Sequence, residues 1–412
     1  MKARTTPASA SLSVLTRLLP ILSAMLAAFL VTGMAIPVIP LHVHQDLGFG
    51  TFVVGLVAGS QFAAALLSRF WSGSYSDRRG PKRAVVAGLL MASASGVLYL
   101  LSLAFVSMPV VSAGVRLAGR AVLGGGESFI VTGALSWGFA LAGTGNTGMV
   151  MSWIGTALWT SFAAGAPAGN AVYALFGFPG VAVATLLVPF LPLTLVLRLP
   201  GTAPSDAEHP RVTQVLGAIW IPGLGVALSS IAFGTIATFS ALLFAERGWS
   251  GAWLAFTALA AAFILGRIVF GHLPDAVGGA RVALVCVLIE AAGQALIWVA
   301  RTPALVFTGA AVTGLGYSLV YPGFGLEAVR RSPPQSRGLA MGAFTAFLDL
   351  ALGIANPALG FLASRAGLTS LYLAGALTVL GAAPVAVFLL RGPRDLADAP
   401  SADTKEAAGH TL

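Results

Sequence analysis

Five ionisable side chains stand inside long apolar runs of this chain: Arg116, Arg120, Glu127, Glu290 and Asp349. A charge in hydrocarbon is costly, so each is a candidate for moving a proton or holding a polar solute. Arg116 and Arg120 are one helical turn apart, and Glu127 lies two turns beyond Arg120 on the same side. That stripe would present two cations and a carboxylate to a cavity: Arg120, and more weakly Arg116 nearer the outer end, as anion or polar-solute contacts, and Glu127 as a titratable group. The structural alternative is a cation that ties its helix to carbonyls or to a neighbour.

Asp349, with Phe344 and Phe347 close by in sequence, is the second proton candidate, because desolvation disfavours the charged form of a carboxylate near the midplane. Its alternative is a pair with an arginine or hydroxyl across an interface. Glu290, with Gln294 one turn on, reads as an inter-helix hydrogen bond. Gln61, Trp159, Tyr317, Tyr321 and Asn356 are uncharged cavity candidates, although membrane aromatics more often serve packing. His42, His44 and Asp46 have a spacing that invites a metal, but no cysteine or further acidic cluster is near. A solvated loop is expected there, and no metal.

These side chains need a scaffold, and composition sets its class. With 57% hydrophobic and 9% charged residues and a mean hydropathy of +0.90, 412 residues cannot cover a soluble globule; the chain is read as an all-α membrane protein. The net charge of +9 comes from basic residues set singly or in short groups between apolar runs, a topology signal; no nucleic-acid partner is expected. The lone Cys286 excludes an intrachain disulfide. Lys2, Arg4 and Arg17 ahead of an apolar run resemble a secretory signal, but that run continues to about Leu41 and many more follow, so it is read as a retained first span.

Cutting at charges, prolines and glycines gives twelve spans: about 18–41, 51–74, 84–106, 109–138, 148–176, 180–198, 216–244, 252–273, 282–300, 303–326, 338–363 and 368–390. With the N-terminus inside, all 23 lysines and arginines are cytoplasmic except Arg247, Arg301 and Arg365 outside and Arg116 and Arg120 within a span. The expected organisation is a cytoplasmic N-terminal segment 1–17, a six-helix bundle 18–198, a cytoplasmic linker 199–215, a second six-helix bundle 216–391 and a disordered cytoplasmic tail 392–412.

The two halves repeat. At an offset of 198, Arg69, Gly73, Asp77, Gly80 and Arg83 fall on Arg267, Gly271, Asp275, Gly278 and Arg281; at 190, Met151, Pro167 and Gly177 fall on Met341, Pro357 and Gly367. Matches that include arginine, aspartate and proline indicate a duplicated six-helix unit.

The loop Gly73-Ser-Tyr-Ser-Asp77-Arg78-Arg79-Gly80-Pro81-Lys82-Arg83 resembles the signature between spans two and three of the major facilitator superfamily, and its degenerate copy at 271–281 sits between spans eight and nine. Arg120-x-x-x-Gly124-x-Gly126 is similar to a second motif of that superfamily, and Gly165-Ala-Pro167-Ala-Gly169 to a loose version of its antiporter motif, with the usual glycine–proline pair broken by Ala166. Over about 15–392 the chain is similar to the YhhS family of inner-membrane facilitators, including Leu66-Leu-Ser-Arg69, Gly234-Thr-Ile-Ala-Thr-Phe239 and Phe347-Leu-Asp349-Leu. The resemblance implies two bundles rocking about a central site, with spans one, four, seven and ten lining most of the path and three, six, nine and twelve facing lipid. It also makes the loop a conformational latch. Asp77 would rest on the cytoplasmic start of span eleven, where Gly338 and Gly342 permit close approach, with Arg78, Lys82 and Arg83 around it.

Enzyme signatures are missing: no G-x-x-x-x-G-K-[ST], H-E-x-x-H or G-x-S-x-G occurs. The reading is a monomeric secondary active transporter of a small organic solute in the bacterial inner membrane, with both termini cytoplasmic. It works by alternating access, needs no cofactor, draws on the proton gradient and exports its solute. A proton symporter or facilitator for sugar or metabolite uptake is the first rival, a transport-dead receptor the second.

Overall fold

The protein is described by a computed structural model that covers residues 7–142, 147–202, 212–332 and 337–391. Residues 1–6, most of the expected linker (203–211) and the expected tail (392–412) lie outside the described residues.

All regular structure among the described residues is helical. Lipid offers backbone polar groups no partners, so each apolar run closes its own hydrogen bonds. Among the described residues, ten helices are long and apolar enough to cross a membrane. One of them, Met149–Arg198, contains two crossings, because Gly177 (φ 63°, ψ −164°) turns the chain back. The 34-residue Pro109–Ala142, carrying Arg116, Arg120 and Glu127, supplies the twelfth crossing.

In order, span one is Pro7–Leu41, two Thr51–Arg79, three Pro81–Leu103 and four Pro109–Ala142. Spans five and six share Thr147–Leu187 and Phe190–Arg198. Seven is Val212–Glu246, eight Ala252–Phe270, nine Gly279–Trp298, ten Pro303–Arg330 and eleven Arg337–Ala366; twelve is Ser370–Leu380 continued by Ala382–Arg391. Several boundaries depart from expectation. The first helix already begins at Pro7, inside the segment assigned to the cytoplasm; span two runs to Arg79 and span three starts at Pro81, so that of the expected loop 73–83 only Gly80 lies outside a helix; span seven starts at Val212, inside the expected linker; and a short helix, Leu273–Val277, occupies the second copy of the charged stretch. Pro81 and Pro303 stand in the first turns of spans three and ten, where the missing N–H interrupts no ladder, whereas Pro37, Pro167, Pro222, Pro322 and Pro357 lie inside spans.

The duplication is visible in backbone geometry. Gly80 (φ 91°, ψ 145°) and Gly278 (φ 100°, ψ 139°) take the same left-handed turn at the two loops, a conformation closed to L side chains, and Gly177 and Gly367 (φ 63° and 82°) repeat the second turn. Inter-helix contacts repeat as well. A Cβ on Gly124 would meet the Gln61 carbonyl oxygen at 2.0 Å, and one on Gly314 would meet that of Leu259 at 2.1 Å. A Cβ on Gly126 would meet the Gly88 carbonyl oxygen at 2.8 Å, and one on Gly316 would meet that of Cys286 at 2.6 Å. Every partner pair is related by the offsets 198 and 190 read from the sequence. Small residues set these helix distances, since lipid provides no hydrophobic force between helices.

The bundles meet along two seams, span two on span eleven and span five on span eight. Spans three and nine turn side chains such as Leu90, Val97, Val285 and Leu288 outward, where acyl chains would cover them.

Candidate functional site at the bundle interface

Span two begins and span eleven ends in backbone contact. Thr51 donates to the Gly360 carbonyl at 2.7 Å, and a Cβ on Gly55 would lie 2.2 Å from the Asn356 carbonyl oxygen. Toward the other ends the helices separate: added Cβ atoms on Gly73 and Gly342 would meet nothing within 4 Å among the described residues. Between these extremes Arg69 of span two donates through Nε to Asp349 Oδ2 of span eleven at 2.5 Å, with side-chain exposures of 22% and 6%. This ion pair ties one bundle to the other. Arg69, expected among the cytoplasmic charges, reaches inward because its position, one turn before the charged stretch, faces the seam.

Glu127 sits inside the first bundle. Gln61 of span two donates Nε2 to both carboxylate oxygens at 2.8 Å, and Thr32 of span one donates its hydroxyl to Oε1. Arg120 and Asp349 both lie within electrostatic reach of Glu127. Arg120 is 5% exposed, and its Nε and Nη1 are buried without a hydrogen-bond partner. The guanidinium nevertheless meets the Tyr99 hydroxyl and lies within reach of the Glu127 carboxylate, so its charge is already partly matched inside the bundle.

Arg116 departs from the expected stripe. It is fully buried, donates Nε to Ser102 of span three at 3.0 Å and holds its Cζ 4.4 Å above the Phe178 ring. Phe178 in turn stacks on His42 at 4.2 Å. Arg116 therefore shares span four with Arg120 but is held by span three and the corner between spans five and six, away from the seams. His42 and Asp46, expected in a solvated loop, form a hydrogen-bonded pair within a five-residue π-helix, with His42 buried. No group of three His, Cys, Asp or Glu able to hold a metal occurs among the described residues.

Across the second seam lies an aromatic cluster that the sequence did not reveal. Trp159 of span five stacks on Phe263 of span eight at 3.7 Å, and Phe233 of span seven stacks on Tyr317 of span ten at 5.8 Å. Phe162 packs against Phe256 at 5.8 Å. The Tyr317 hydroxyl is 3.1 Å from that of Ser230, and the Tyr321 hydroxyl 2.7 Å from that of Thr345. Asn356 accepts from Thr238 at 3.1 Å. Glu290 is buried and accepts from Ser229, the inter-helix bond expected of it.

Around the charged loop, Lys82 donates to the carbonyls of Leu197 (2.9 Å) and Leu199 (2.5 Å), capping span six. Its ammonium is engaged there, whereas the latch reading set it beside Asp77. Arg78 falls in the last turn of span two, and Gly338 opens span eleven. In span five, Gly165 and Gly169 press against the backbone of Gly33 and Met34 of span one, with Pro167 between them.

The sequence profile of the Major Facilitator Superfamily matches residues 21–273 and 222–410. An uncharacterized MFS-type transporter of Salmonella typhimurium is 39% identical over 368 residues, 89% of this chain and 95% of the relative. The MFS-type transporter YhhS of Escherichia coli K12 is 37% identical over 370 residues, 90% and 91% of the two chains. Among solved structures, a D-xylose–proton symporter superposes with a TM-score of 0.73 at 14% identity, over 92% of this chain and 98% of that one. That similarity concerns the fold.

Proposed function

The chain belongs to the major facilitator superfamily, and from that premise we propose that it exports a small organic solute by proton-coupled alternating access. It is a multi-pass membrane transporter and not an enzyme. Coupling, direction and placement in a bacterial inner membrane with cytoplasmic termini are our reading.

The observation that carries the coupling is the Arg69–Asp349 pair, with Asp349 buried, Arg69 partly buried and the two bridging the bundles. A buried ion pair gains little net free energy, but removing one charge leaves the other stranded. Proton uptake by Asp349 would thus cut the tie on span two and let the bundles part at that seam. With the basic loops taken as cytoplasmic, the tight end of the seam is outer and the open end inner, an inward-facing arrangement. Glu127, already held by three hydrogen bonds, is the second proton candidate. The export direction rests on the likeness of the Gly165–Pro167–Gly169 stretch to the superfamily's antiporter motif, a stretch that packs span five directly on span one.

A growth or resistance screen with deletion and overexpressing strains would supply a solute. The test is pH inside proteoliposomes on adding that solute. Export by antiport makes solute and protons move in opposite directions; parallel movement would replace export with symport, and no proton movement would remove the coupling.

A further inference from the structure

The internal duplication identifies a cation without a carboxylate. At the offsets of 198 and 190, Arg69 corresponds to Arg267 and Asp349 to Trp159. The corresponding seams are therefore built differently. At the first, Arg69 meets Asp349 at 2.5 Å. At the second, the position equivalent to Asp349 holds an indole, which stacks on Phe263 at 3.7 Å. Arg267 lies with its Cζ 5.9 Å from the same Phe263 ring, and no carboxylate pairs with it among the described residues.

Tyr321 lies within electrostatic reach of Arg69, Arg267 and Asp349 alike, so these groups border one region. In that region Asp349 is already taken by Arg69, and the position that would face Arg267 in the same way holds an indole. Cations held near apolar and aromatic surface are matched by an anion that carries its own apolar body.

We propose that Arg267 binds the negatively charged group of the transported solute, which takes the place that Asp349 fills at the other seam, with Trp159 and Phe263 bordering the solute's apolar part. The substrate class is then an amphipathic organic anion, a negatively charged group on a small apolar or aromatic frame. The inference rests on the transporter reading but not on proton coupling: each could fail while the other holds.

The first test needs no ligand. Trp159→Asp and Trp159→Asn both remove the indole, at equal volume, and only the aspartate can pair with Arg267. Thermal unfolding of the full-length protein in detergent should place Trp159→Asp several degrees above Trp159→Asn, a gap that closes when Arg267→Gln is added. Equal stability of the two variants, or a gap that persists without Arg267, overturns the proposal. The second test uses salicylate and its uncharged analogue salicylamide as probes. Salicylate should stabilise the wild type against thermal unfolding more than salicylamide does, with affinity lost by about tenfold or more in Arg267→Gln. Equal effects of the two probes, or undiminished salicylate binding in Arg267→Gln, contradict it.

Discussion

At the scale of single residues, the account turns on Asp349 and its arginine. Asp349→Asn removes the titratable group but keeps its volume, so the variant should insert and exchange solute while moving no protons; coupled transport at wild-type rate would contradict the assignment. Stranding one charge of a buried pair costs about 3–5 kcal/mol, whereas removing both costs much less. Arg69→Gln alone should accordingly lower the unfolding temperature in detergent more than Arg69→Gln with Asp349→Asn. Glu127→Gln tests the other carboxylate. It places an amide against the Gln61 amide and Thr32 hydroxyl that now donate to a carboxylate, which should weaken that junction by roughly 1 kcal/mol. Loss of transport with the fold retained is expected, measured as solute counterflow beside thermal unfolding.

Residue types were legible in the sequence, but partnerships were not. Glu127, Asp349 and Glu290 stood out because charge in an apolar run is rare, and they occupy buried networks. Arg69 did not, because a basic residue near a loop is read as a topology signal. Arg116 and Arg120 share a helix face by spacing, yet a turn of depth decides which neighbours each meets. The aromatic cluster around Trp159 draws on spans five, seven, eight and ten, so no local pattern announces it.

At the scale of helices, small residues set the geometry. Gly124 faces the Gln61 backbone so closely that a Cβ would lie 2.0 Å from its carbonyl oxygen. Gly124→Val should therefore push span four off span two and destabilise the protein by about 1–3 kcal/mol, the usual cost of overpacking. Gly342→Ala, into open space, should leave the unfolding temperature within a degree or two; equal damage from both would mean that the spans are not packed as described. The loop after span two makes a separate prediction. If Asp77 latches the cytoplasmic start of span eleven in the opposite conformation, Asp77→Asn slows transport yet leaves solute binding largely intact. Full transport by that variant would remove the latch. Spans themselves were legible because the bilayer fixes their length; the early start at Pro7 was hidden by polar residues that a helix outside the membrane tolerates.

At the scale of the whole molecule, duplication explains both the symmetry and where it breaks. The offsets visible in sequence reproduce turn conformations and helix contacts in both halves, because a backbone contact depends on small residues at fixed places. Chemistry diverged on that common frame. Glu127 with Thr32 in one half corresponds to Tyr317 with Ser230 in the other, and Asp349 with Arg69 to Trp159 beside Arg267. Two seams of one design thus came to carry an ion pair and an aromatic stack.

The central claim is that proton uptake at the seam drives solute movement. Its most direct test is the internal pH of proteoliposomes holding wild-type protein or Asp349→Asn when a solute gradient is imposed. The account predicts a proton flux opposite to the solute in the wild type and none in the variant. A solute-driven proton flux of the same size through Asp349→Asn would contradict it.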